Sequence, residues 1–232
     1  MPFSKKEAPH CDWCPAKSNC FFDLLDDKQS RKHWKDMRIA NRFKAGEVIF
    51  YEGEKPQGLY VVCSGKAKIY KSSRTGQQLV TRIEKPGDLL GHRSMLSGEN
   101  YSGSAEAMQE SIVSMIDAET FKQFLRKHPN AALALLREVC KDVRRGEDKA
   151  RDIAFKPARS RLGSVLLNVM QPNGKAPVVA GLKRKDLAEM AGLTIETTVR
   201  LLKDFESRGF IQRREKDIVV REEAKLRAIA ER

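Results

Sequence analysis

Short apolar runs, separated by glycine-containing turns, occupy much of the chain between residues 43 and 115. The runs cover residues 48–51, 59–62, 66–70, 79–83 and 111–116, and several alternate apolar with polar positions. β-Branched and aromatic residues are enriched in them, as is typical of half-buried strands. Because the turns are too short for crossover helices, the pattern predicts an antiparallel β domain of the jelly-roll type.

From residue 117 the apolar spacing changes to three and four, which is the spacing of helices. It predicts a short helix over 117–127 and a long helix from 129 to about 155, and a further short helix falls within 24–37. One side of the long helix follows a heptad spacing that is broken by Glu147. The members of this stripe, here called the seam, are Leu133, Leu136, Cys140, Val143, Ala150 and Ala154. The seam favours a dimerisation helix, and burial against the chain's own core is the alternative.

The sequence GLTIETTVRLL, which begins at Gly192, predicts a turn followed by an exposed helix. Gly192 allows the tight turn of a helix-turn-helix, and Thr194 is a suitable N-cap for the second helix. Glu196 and Arg200 lie four residues apart, so they project side by side from the first turns of that helix. Arginine can donate two hydrogen bonds to guanine, and glutamate can accept one from cytosine. We therefore predict that Glu196, Val199 and Arg200 contact base edges in the major groove.

Two short apolar segments with a charged turn between them follow at 209–220 and predict a wing. Polar side chains of the helix and the wing are predicted to contact the DNA backbone, which supplies affinity but little sequence information. They are Thr194, Lys203, Arg213, Arg214 and Lys216. The alternative for Glu196 and Arg200 is an exposed ion pair with no role in DNA binding.

These elements give an α+β chain in four parts. We expect a cysteine-bearing segment (1–21), a β-roll sensor domain (22–128), a dimerisation helix (129–156) and a winged helix-turn-helix domain (157–232). The boundary near residue 156 rests on Pro157, because proline cannot continue the hydrogen bonding of a helix.

The charge of the chain favours a polyanionic partner such as double-stranded DNA. The formal net charge is +13, and residues 151–232 hold 18 Lys and Arg against 11 Asp and Glu. No apolar run approaches the roughly 18–20 residues of a membrane span, and the N-terminus has no signal-peptide pattern. We therefore expect a cytoplasmic protein that makes no membrane contact.

The five cysteines are unevenly placed. Cys11, Cys14 and Cys20 lie within ten residues, whereas Cys63 and Cys140 stand alone. In a chain without an export signal, this distribution favours reduced thiols, a metal site or plain packing over a framework of disulfides.

Together these features resemble the CRP/FNR superfamily of transcription regulators, in its FNR-like branch. The similarity extends from about residue 40 to 221 and is most specific in GLYVVCSG (58–65), KPGDLLG (85–91) and the helix-turn-helix. The resemblance implies a cyclic-nucleotide-binding-like β domain and a homodimer that binds palindromic promoter sites and activates transcription through RNA polymerase. It also implies that Glu196 and Arg200 hold the two central base-contacting positions, although Val199 departs from the serine usual there.

The resemblance leaves the signal open. In cyclic-AMP-binding relatives a glutamate binds the ribose and an arginine binds the phosphate. His92 and Tyr101 fall at those positions here, and a buried phosphate without its arginine would be an unpaired charge. Cyclic AMP is therefore not expected, even though Arg93 lies nearby. Another small ligand in the β domain stays an alternative.

The other candidate sensor is the N-terminal cysteine group. The spacing Cys11-x2-Cys14-x5-Cys20 is similar to that by which FNR-type oxygen sensors hold a 4Fe–4S cluster. Such a cluster would make the chain a sensor of oxygen, nitric oxide or redox state. Cys63 completes the ligand set that we expect.

Other ligand sets remain open. FNR-type regulators have their fourth cysteine near the end of the β domain, where this chain has Ser114, so Cys140, an aspartate or no fourth ligand are alternatives to Cys63. Zinc held by the N-terminal cysteines and His10 is a further alternative. Direct thiol redox chemistry and the absence of any sensing complete the possibilities.

The sequence does not favour an enzyme. It has four histidines and no nucleophile motif, phosphate-binding loop or paired catalytic carboxylates. An electron carrier would account for the cysteines, and a plain ligand-binding protein would account for the β domain. Neither class explains the winged helix.

Overall fold

The computed structural model describes residues 3–5, 8–174, 176–215 and 217–231. Two compact units are present. The first comprises Met1–Ser73 and Thr81–Arg145, and the second comprises Arg74–Val80 and Gly146–Arg232. The division falls within the long helix, and the predicted limits of the four parts stay a prediction.

The first part of the chain contains two short 3₁₀ turns, eight strands and the first helices. The 3₁₀ turns are Lys17–Asn19 and Phe21–Leu24, and the helices are α1 (Lys28–Met37), α2 (His92–Ser97), α3 (Ala118–Lys127) and α4 (Pro129–Phe155). The strands are β1 (Ile39–Phe43), β2 (Val48–Phe50), β3 (Gly58–Ser64), β4 (Ala67–Ser72), β5 (Gln78–Glu84), β6 (Leu89–Leu90), β7 (Ser104–Ala107) and β8 (Ser111–Asp117).

The eight strands form two four-stranded sheets, with the orders β1-β8-β3-β6 and β2-β7-β4-β5. Strand β3 separates two apolar cores because successive side chains of a strand point to opposite faces. Tyr60 and Val62 face the core between the sheets. Leu59 and Val61 face an outer core that includes Trp34 of α1. The predicted β domain with a long helix after it is confirmed.

The sequence pattern missed several elements. Strand β1 begins at Ile39, before the predicted region, and β7 has the sequence Ser-Ala-Glu-Ala, which carries no strand-forming side chain. Helix α2 has six residues and lies between two glycines in the left-handed region, Gly91 with φ 73° and Gly98 with φ 77°. These elements are too short for a periodicity to show.

Helix α4 has two contrasting faces. Its buried residues are Ala131, Ala134, Leu135 and Asp142. All six seam residues are exposed instead, among them Leu136, whose side chain is 57% exposed. Burial of the seam against the chain's own core is therefore wrong, and its contact with a second copy stays a prediction.

The C-terminal unit is a small helical domain with a three-stranded sheet in the order β10-β11-β9. Its elements are α5 (Ala158–Val169), β9 (Val178–Val179), α6 (Arg184–Ala191), α7 (Ile195–Ser207), β10 (Ile211–Arg213), β11 (Ile218–Val220) and α8 (Glu223–Ala230). Strand β9 and helix α8 were not predicted from the sequence, whereas the helix-turn-helix and the two wing strands were. Among the described residues, no helix has the combined length and apolarity that crossing a membrane requires.

Candidate DNA-binding helix and cysteine cavity

Helix α7 begins where the sequence predicts it. Gly192 ends α6 in the left-handed region with φ 62°. The Thr194 hydroxyl then accepts a hydrogen bond from the backbone N–H of Thr197 at 3.2 Å, which satisfies one of the free donors at the start of α7. Leu202 and Phe205 are fully buried and fix the inner face of the helix. These buried side chains fix the rotation of α7 about its own axis, and so determine which residues form its outer face.

The outer face of α7 carries the residues predicted to contact bases. Glu196, Arg200 and Lys203 are exposed, and Val199 is half-buried. In the part of the chain that the structure describes, neither Glu196 nor Arg200 takes part in an ion pair. The alternative of a surface Glu196–Arg200 pair is thus not formed, and both charged groups can face a partner.

The wing residues differ from one another. Arg213 donates from its backbone N–H and its Nε to the carboxylate of Glu206, each at 2.7 Å. These hydrogen bonds lower the pKa of Glu206. Arg214 is exposed at the turn between the wing strands, and Lys216 lies outside the described residues. Contact of these cations with phosphate stays a prediction.

Two cations hold the turn of the helix-turn-helix. Lys149 donates to the carbonyl of Met190, and Arg161 donates to the carbonyl of Gly192 at 3.4 Å. Carbonyls at the end of a helix lack partners inside it, so cations placed there stabilise the terminus. The turn before α7 is therefore fixed from both sides of Ala191. Neither contact could be predicted from the sequence, because each joins residues about 30 to 40 positions apart.

In the first unit, four cysteines line one cavity. Cys11, Cys14, Cys20 and Cys63 line a small cavity that is partly open to solvent, together with Arg38. We call it the cysteine cavity. The other candidate ligands lie elsewhere, because Cys140 is exposed on α4 and His10 is exposed and does not line the cavity.

Turns of three residues explain why the N-terminal cysteines share one side. The backbone N–H of Cys14 donates to the carbonyl of Cys11, that of Lys17 to Cys14, and that of Cys20 to Lys17, at 3.0–3.3 Å. Residues three apart eclipse one another in such turns. The spacings of three and six residues in Cys11-x2-Cys14-x5-Cys20 therefore place all three side chains on the same face. Lys17, which also lines the cavity, occupies the intermediate turn.

Cys63 reaches the cavity from strand β3. It follows Leu59 and Val61 by the two-residue period of a strand, so it faces the outer layer where the N-terminal segment lies. The pairing of β3 with β8 is irregular between Val62 and Ser64, on either side of Cys63. The Cys63 thiol is 3.0 Å from the hydroxyl of Ser114, the residue at the expected position of the fourth cysteine.

Burial disfavours the thiolate form of three of the cysteines that line the cavity. Burial raises the pKa of Cys11 to about 11 and that of Cys20 to about 12, and it also raises the pKa of Cys63, while the positive charge of Arg38 opposes each shift. The thiolate is the nucleophile and the metal ligand, so these thiols are unreactive unless a metal withdraws their protons. No disulfide joins any of the five cysteines.

The donor set is four thiols, which are the ligands both of structural zinc and of iron–sulfur clusters. Among the described residues, no three His, Cys, Asp or Glu side chains lie close enough to hold one metal ion. A zinc ion needs each thiolate at about 2.3 Å, which brings the sulfurs close together. A 4Fe–4S cluster is also bound by four thiolates, each at a separate iron, so its ligands lie further apart. The four thiols that line the cavity equal the number of ligands that such a cluster takes.

Aromatic rings narrow the interior of the β domain, where Phe50 and Tyr101 line a small cavity together with Arg82 and His92. Tyr101 stacks on Phe50 with ring centroids 3.9 Å apart, and its hydroxyl accepts a hydrogen bond from the backbone N–H of Gln57. Tyr101 is 3% exposed. Tyr101 therefore occupies the interior, at the position where the resemblance to cyclic-AMP-binding proteins leads us to expect an arginine.

Asp142, on the buried side of α4, is the centre of a polar network in the first unit. Arg82 donates to its carboxylate, and the Nε2 of His92 is 3.1 Å from it. Burial alone would raise the pKa of Asp142, but the neighbouring His92 and the charge of Arg82 outweigh it and lower the pKa to about 2. Glu84 lies 3.2 Å from Arg82, and burial raises its pKa to about 7. The positive charge of Arg82 therefore already has two neighbouring carboxyl groups, those of Asp142 and Glu84.

Comparisons with known proteins match both parts of the chain. The family model described as "Cyclic nucleotide-binding domain" matches residues 40–128. The model described as "Crp-like helix-turn-helix domain" matches residues 160–229.

Individual relatives match most of the length. The cyclic AMP receptor protein of Thermus thermophilus is 29% identical over 188 residues, which are 81% of this chain and 86% of that protein. The fumarate and nitrate reduction regulatory protein of Salmonella typhi is 27% identical over 228 residues, which are 96% of this chain and 91% of that protein. The structure of FixK2 from Bradyrhizobium japonicum has the same fold, with a TM-score of 0.74 at 23% identity, covering 83% of this chain and 96% of that one. The chain belongs to the CRP/FNR family of transcription regulators.

Proposed function

We propose that this chain is a sequence-specific, DNA-binding transcription regulator that contacts base edges through Glu196 and Arg200. The observation that supports it is that both side chains are exposed on a helix whose other face is buried, and that neither forms an ion pair with any described residue. A guanidinium offers guanine two hydrogen bonds, and a carboxylate accepts from cytosine. Exposed Lys203 and Arg214 would add phosphate contacts beside them.

The proposed regulator acts as a homodimer. The exposed seam of α4 supports this, because leucine and valine side chains on one face of a long helix are typical of a helix that packs against a second copy. Two copies of α7 related by a two-fold axis require a palindromic site with half-sites about one turn of DNA apart. Regulation through RNA polymerase in the cytoplasm belongs to the same proposal.

Binding selection from a library of palindromic duplexes tests the regulator. The wild-type chain is expected to enrich one site, and Arg200→Ala is expected to lose that preference while it stays folded by circular dichroism. Arg208→Ala is the matched control, since Arg208 lies at the other end of α7 and pairs with Asp204 at 2.8 Å. A folded Arg200→Ala protein with an unchanged site preference would contradict the assignment.

We further propose that the cysteine cavity holds a 4Fe–4S cluster through Cys11, Cys14, Cys20 and Cys63. When bound, such a cluster supplies a centre whose stability depends on oxygen, nitric oxide and redox state. Support comes from the four thiols on one cavity, three of them aligned by successive three-residue turns and the fourth supplied by β3.

The cavity is adjacent to the dimerisation helix through the packing of the outer core. Cys11 and Phe22 belong to the same buried cluster as Ala131, Ala134 and Leu135 of α4. A change in how the N-terminal segment packs would therefore reach the first turns of α4 and bias dimerisation. The relatives do not decide the signal, because one is named for cyclic AMP and another for fumarate and nitrate reduction.

Anaerobic purification with an absorbance spectrum and iron, sulfide and zinc analysis tests the cluster. We expect about four iron and four sulfide per chain, with Cys63→Ala losing most of both and Cys140→Ala unchanged. Zinc without sulfide would favour the single-ion alternative. A colourless and metal-free wild-type protein would refute the cluster and leave the DNA-binding proposal intact.

A further inference from the structure

Arg38 spans the two halves of the cysteine cavity. It follows α1 directly and is only 5% exposed. Its Nη2 donates to the carbonyl of Pro9 at 2.8 Å, in the segment that carries three of the cysteines. Its Nη1 lies 3.3 Å from the Ser114 hydroxyl and 3.8 Å from the Cys63 sulfur, in the sheet that carries the fourth.

The guanidinium of Arg38 has no carboxylate beside it. In the described ranges of the chain, Arg38 forms no ion pair with any Asp or Glu, and its buried Nε has no hydrogen-bond partner. An arginine side chain keeps its positive charge throughout the physiological pH range. A buried charge without a counter-charge costs free energy, so the fold retains Arg38 against a penalty.

The cysteine cavity is where a counter-charge would arise. Arg38 lines it together with the four cysteines, whose thiols are neutral while they are protonated. Metal binding converts thiols to thiolates, and four thiolates around a 4Fe–4S core carry a net negative charge. The anion that Arg38 lacks is therefore the ligated cluster itself.

We propose that Arg38 is a positioning residue that compensates the charge of the cluster and ties its N-terminal ligands to Cys63. The inference rests on the proposed cluster. A fixed cation beside the ligands favours the more negatively charged state of a redox centre, so it raises the midpoint potential. The same contacts hold the two halves of the ligand set together, which slows loss of the cluster.

The experiment compares Arg38→Gln, Arg38→Lys and the wild-type chain after anaerobic reconstitution. Arg42→Gln is the matched control, because Arg42 lies four residues away on β1 with an exposed side chain. The readouts are iron and sulfide per chain, the midpoint potential by redox titration, and the rate at which absorbance is lost in air. Melting of each metal-free protein by circular dichroism reports the fold independently of the cluster.

We expect Arg38→Gln to shift the midpoint potential to a more negative value and to lose its cluster roughly 10-fold faster, the size seen when outer-shell partners of metal ligands are removed. Arg38→Lys keeps the charge and is expected to restore the potential but only part of the retention, because it cannot reach Pro9 and Ser114 together. Arg42→Gln is expected to match the wild type.

Three outcomes would overturn the assignment. The first is a cluster in Arg38→Gln with unchanged potential and lifetime. The second is an equally large shift of the midpoint potential in Arg38→Lys and Arg38→Gln, which would show that the packing of Arg38, rather than its charge, sets the potential. The third is a wild-type chain that binds no iron, which would refute the cluster itself and this inference with it. If Arg38→Gln does not fold, the midpoint potentials of Arg38→Met and Arg38→Lys are compared instead. Equal potentials in these two variants would contradict a role for the positive charge.

Discussion

The sulfur of Cys63 lies 3.0 Å from the hydroxyl oxygen of Ser114, across the antiparallel pair of β3 and β8. Both side chains point to the outer face of their sheet, because Cys63 is in step with Val61 and Ser114 is in step with Ile116, and both of these belong to the outer core. A thiol at either position therefore points toward the same cavity.

This relationship predicts that the fourth ligand can be moved between strands. Cys63→Ser is expected to lose the cluster, and Cys63→Ser with Ser114→Cys is expected to recover at least half of the iron and sulfide. The measurement is metal analysis after anaerobic reconstitution. Ser64→Cys in the Cys63→Ser background is the control, since residue 64 lies on the other face of the strand. Failure of Ser114→Cys to recover iron would argue against Cys63 as a ligand.

Arg200 and Arg214 are expected to differ in kind as DNA contacts. Loss of a base contact in Arg200→Ala costs about 1–3 kcal/mol at the preferred site and relaxes the preference for one base pair. Arg214→Ala weakens binding to all sequences and lowers the salt dependence by about one phosphate contact. Fluorescence anisotropy with preferred and scrambled duplexes at several salt concentrations measures both. Identical behaviour of the two variants would contradict their separate roles.

The seam predicts a charge-sensitive dimer. Leu136→Glu would place two carboxylates opposite each other across a two-fold interface, so we expect a monomer by sedimentation equilibrium and at least 10-fold weaker binding to a palindromic site. Lys141→Glu changes the charge on the same helix away from the seam and is expected to leave the dimer intact. A Leu136→Glu protein that remains dimeric would place the interface elsewhere.

Glu84 predicts a stability that falls as the pH rises. Its folded pKa of about 7 lies above the value of an unfolded chain, so the folded state binds the additional proton. That contribution is fully present below about pH 4 and is lost as the pH passes through 7. The free energy of unfolding of Glu84→Gln should therefore exceed that of the wild type by about 1–3 kcal/mol at pH 8 and differ little from it at pH 5.

Urea unfolding at the two pH values measures this difference. Glu99→Gln, at an exposed position, serves as the control and is expected to change stability by less than about 0.5 kcal/mol at either pH. A Glu84→Gln protein that is less stable than the wild type at pH 8 would show that the ion pair with Arg82 outweighs burial.

Cyclic AMP is expected neither to bind nor to stabilise this chain. A phosphate would have to displace the Tyr101 ring from Phe50 and compete with the two carboxylates beside Arg82. Thermal melting with and without the nucleotide tests this, and we expect no change in Tm. A rise in Tm that depends on nucleotide concentration would contradict it.

The sequence predicted the parts of the molecule whose signals are local. The long helix α4, the cap at Thr194 and the glycine turn at Gly192 all depend on neighbours within a few residues, and each is present. Short strands such as β7 escaped because four residues without apolar alternation carry no period. Strand β7 forms because it pairs with β2 on one side and with β4 on the other, and both lie far from it in the sequence.

The cysteine site divides in the same way. Cys14 and Cys20 follow Cys11 and Cys14 by three and six residues, and residues three apart lie on the same face of a 3₁₀ turn. The common face of these cysteines is therefore consistent with their spacing alone. Nothing local connects Cys63 to them, because its approach depends on the packing of an N-terminal segment against a strand some forty residues away. Arg38 was missed for a further reason. An arginine at the end of a helix is ordinary in sequence, and only its burial without a carboxylate distinguishes it.

The stack of Phe50 on Tyr101 has a consequence for how information enters the molecule. A β roll that opens for an effector alternates between vacant and loaded forms, and that alternation is what the effector's concentration controls. In this roll the Tyr101 ring stacks on Phe50 beside a small cavity, so an effector that entered the cavity would have to move a packed ring. If the proposed cysteine site is the sensor, the stacked rings on the other face of β3 hold that strand, and with it Cys63, in place.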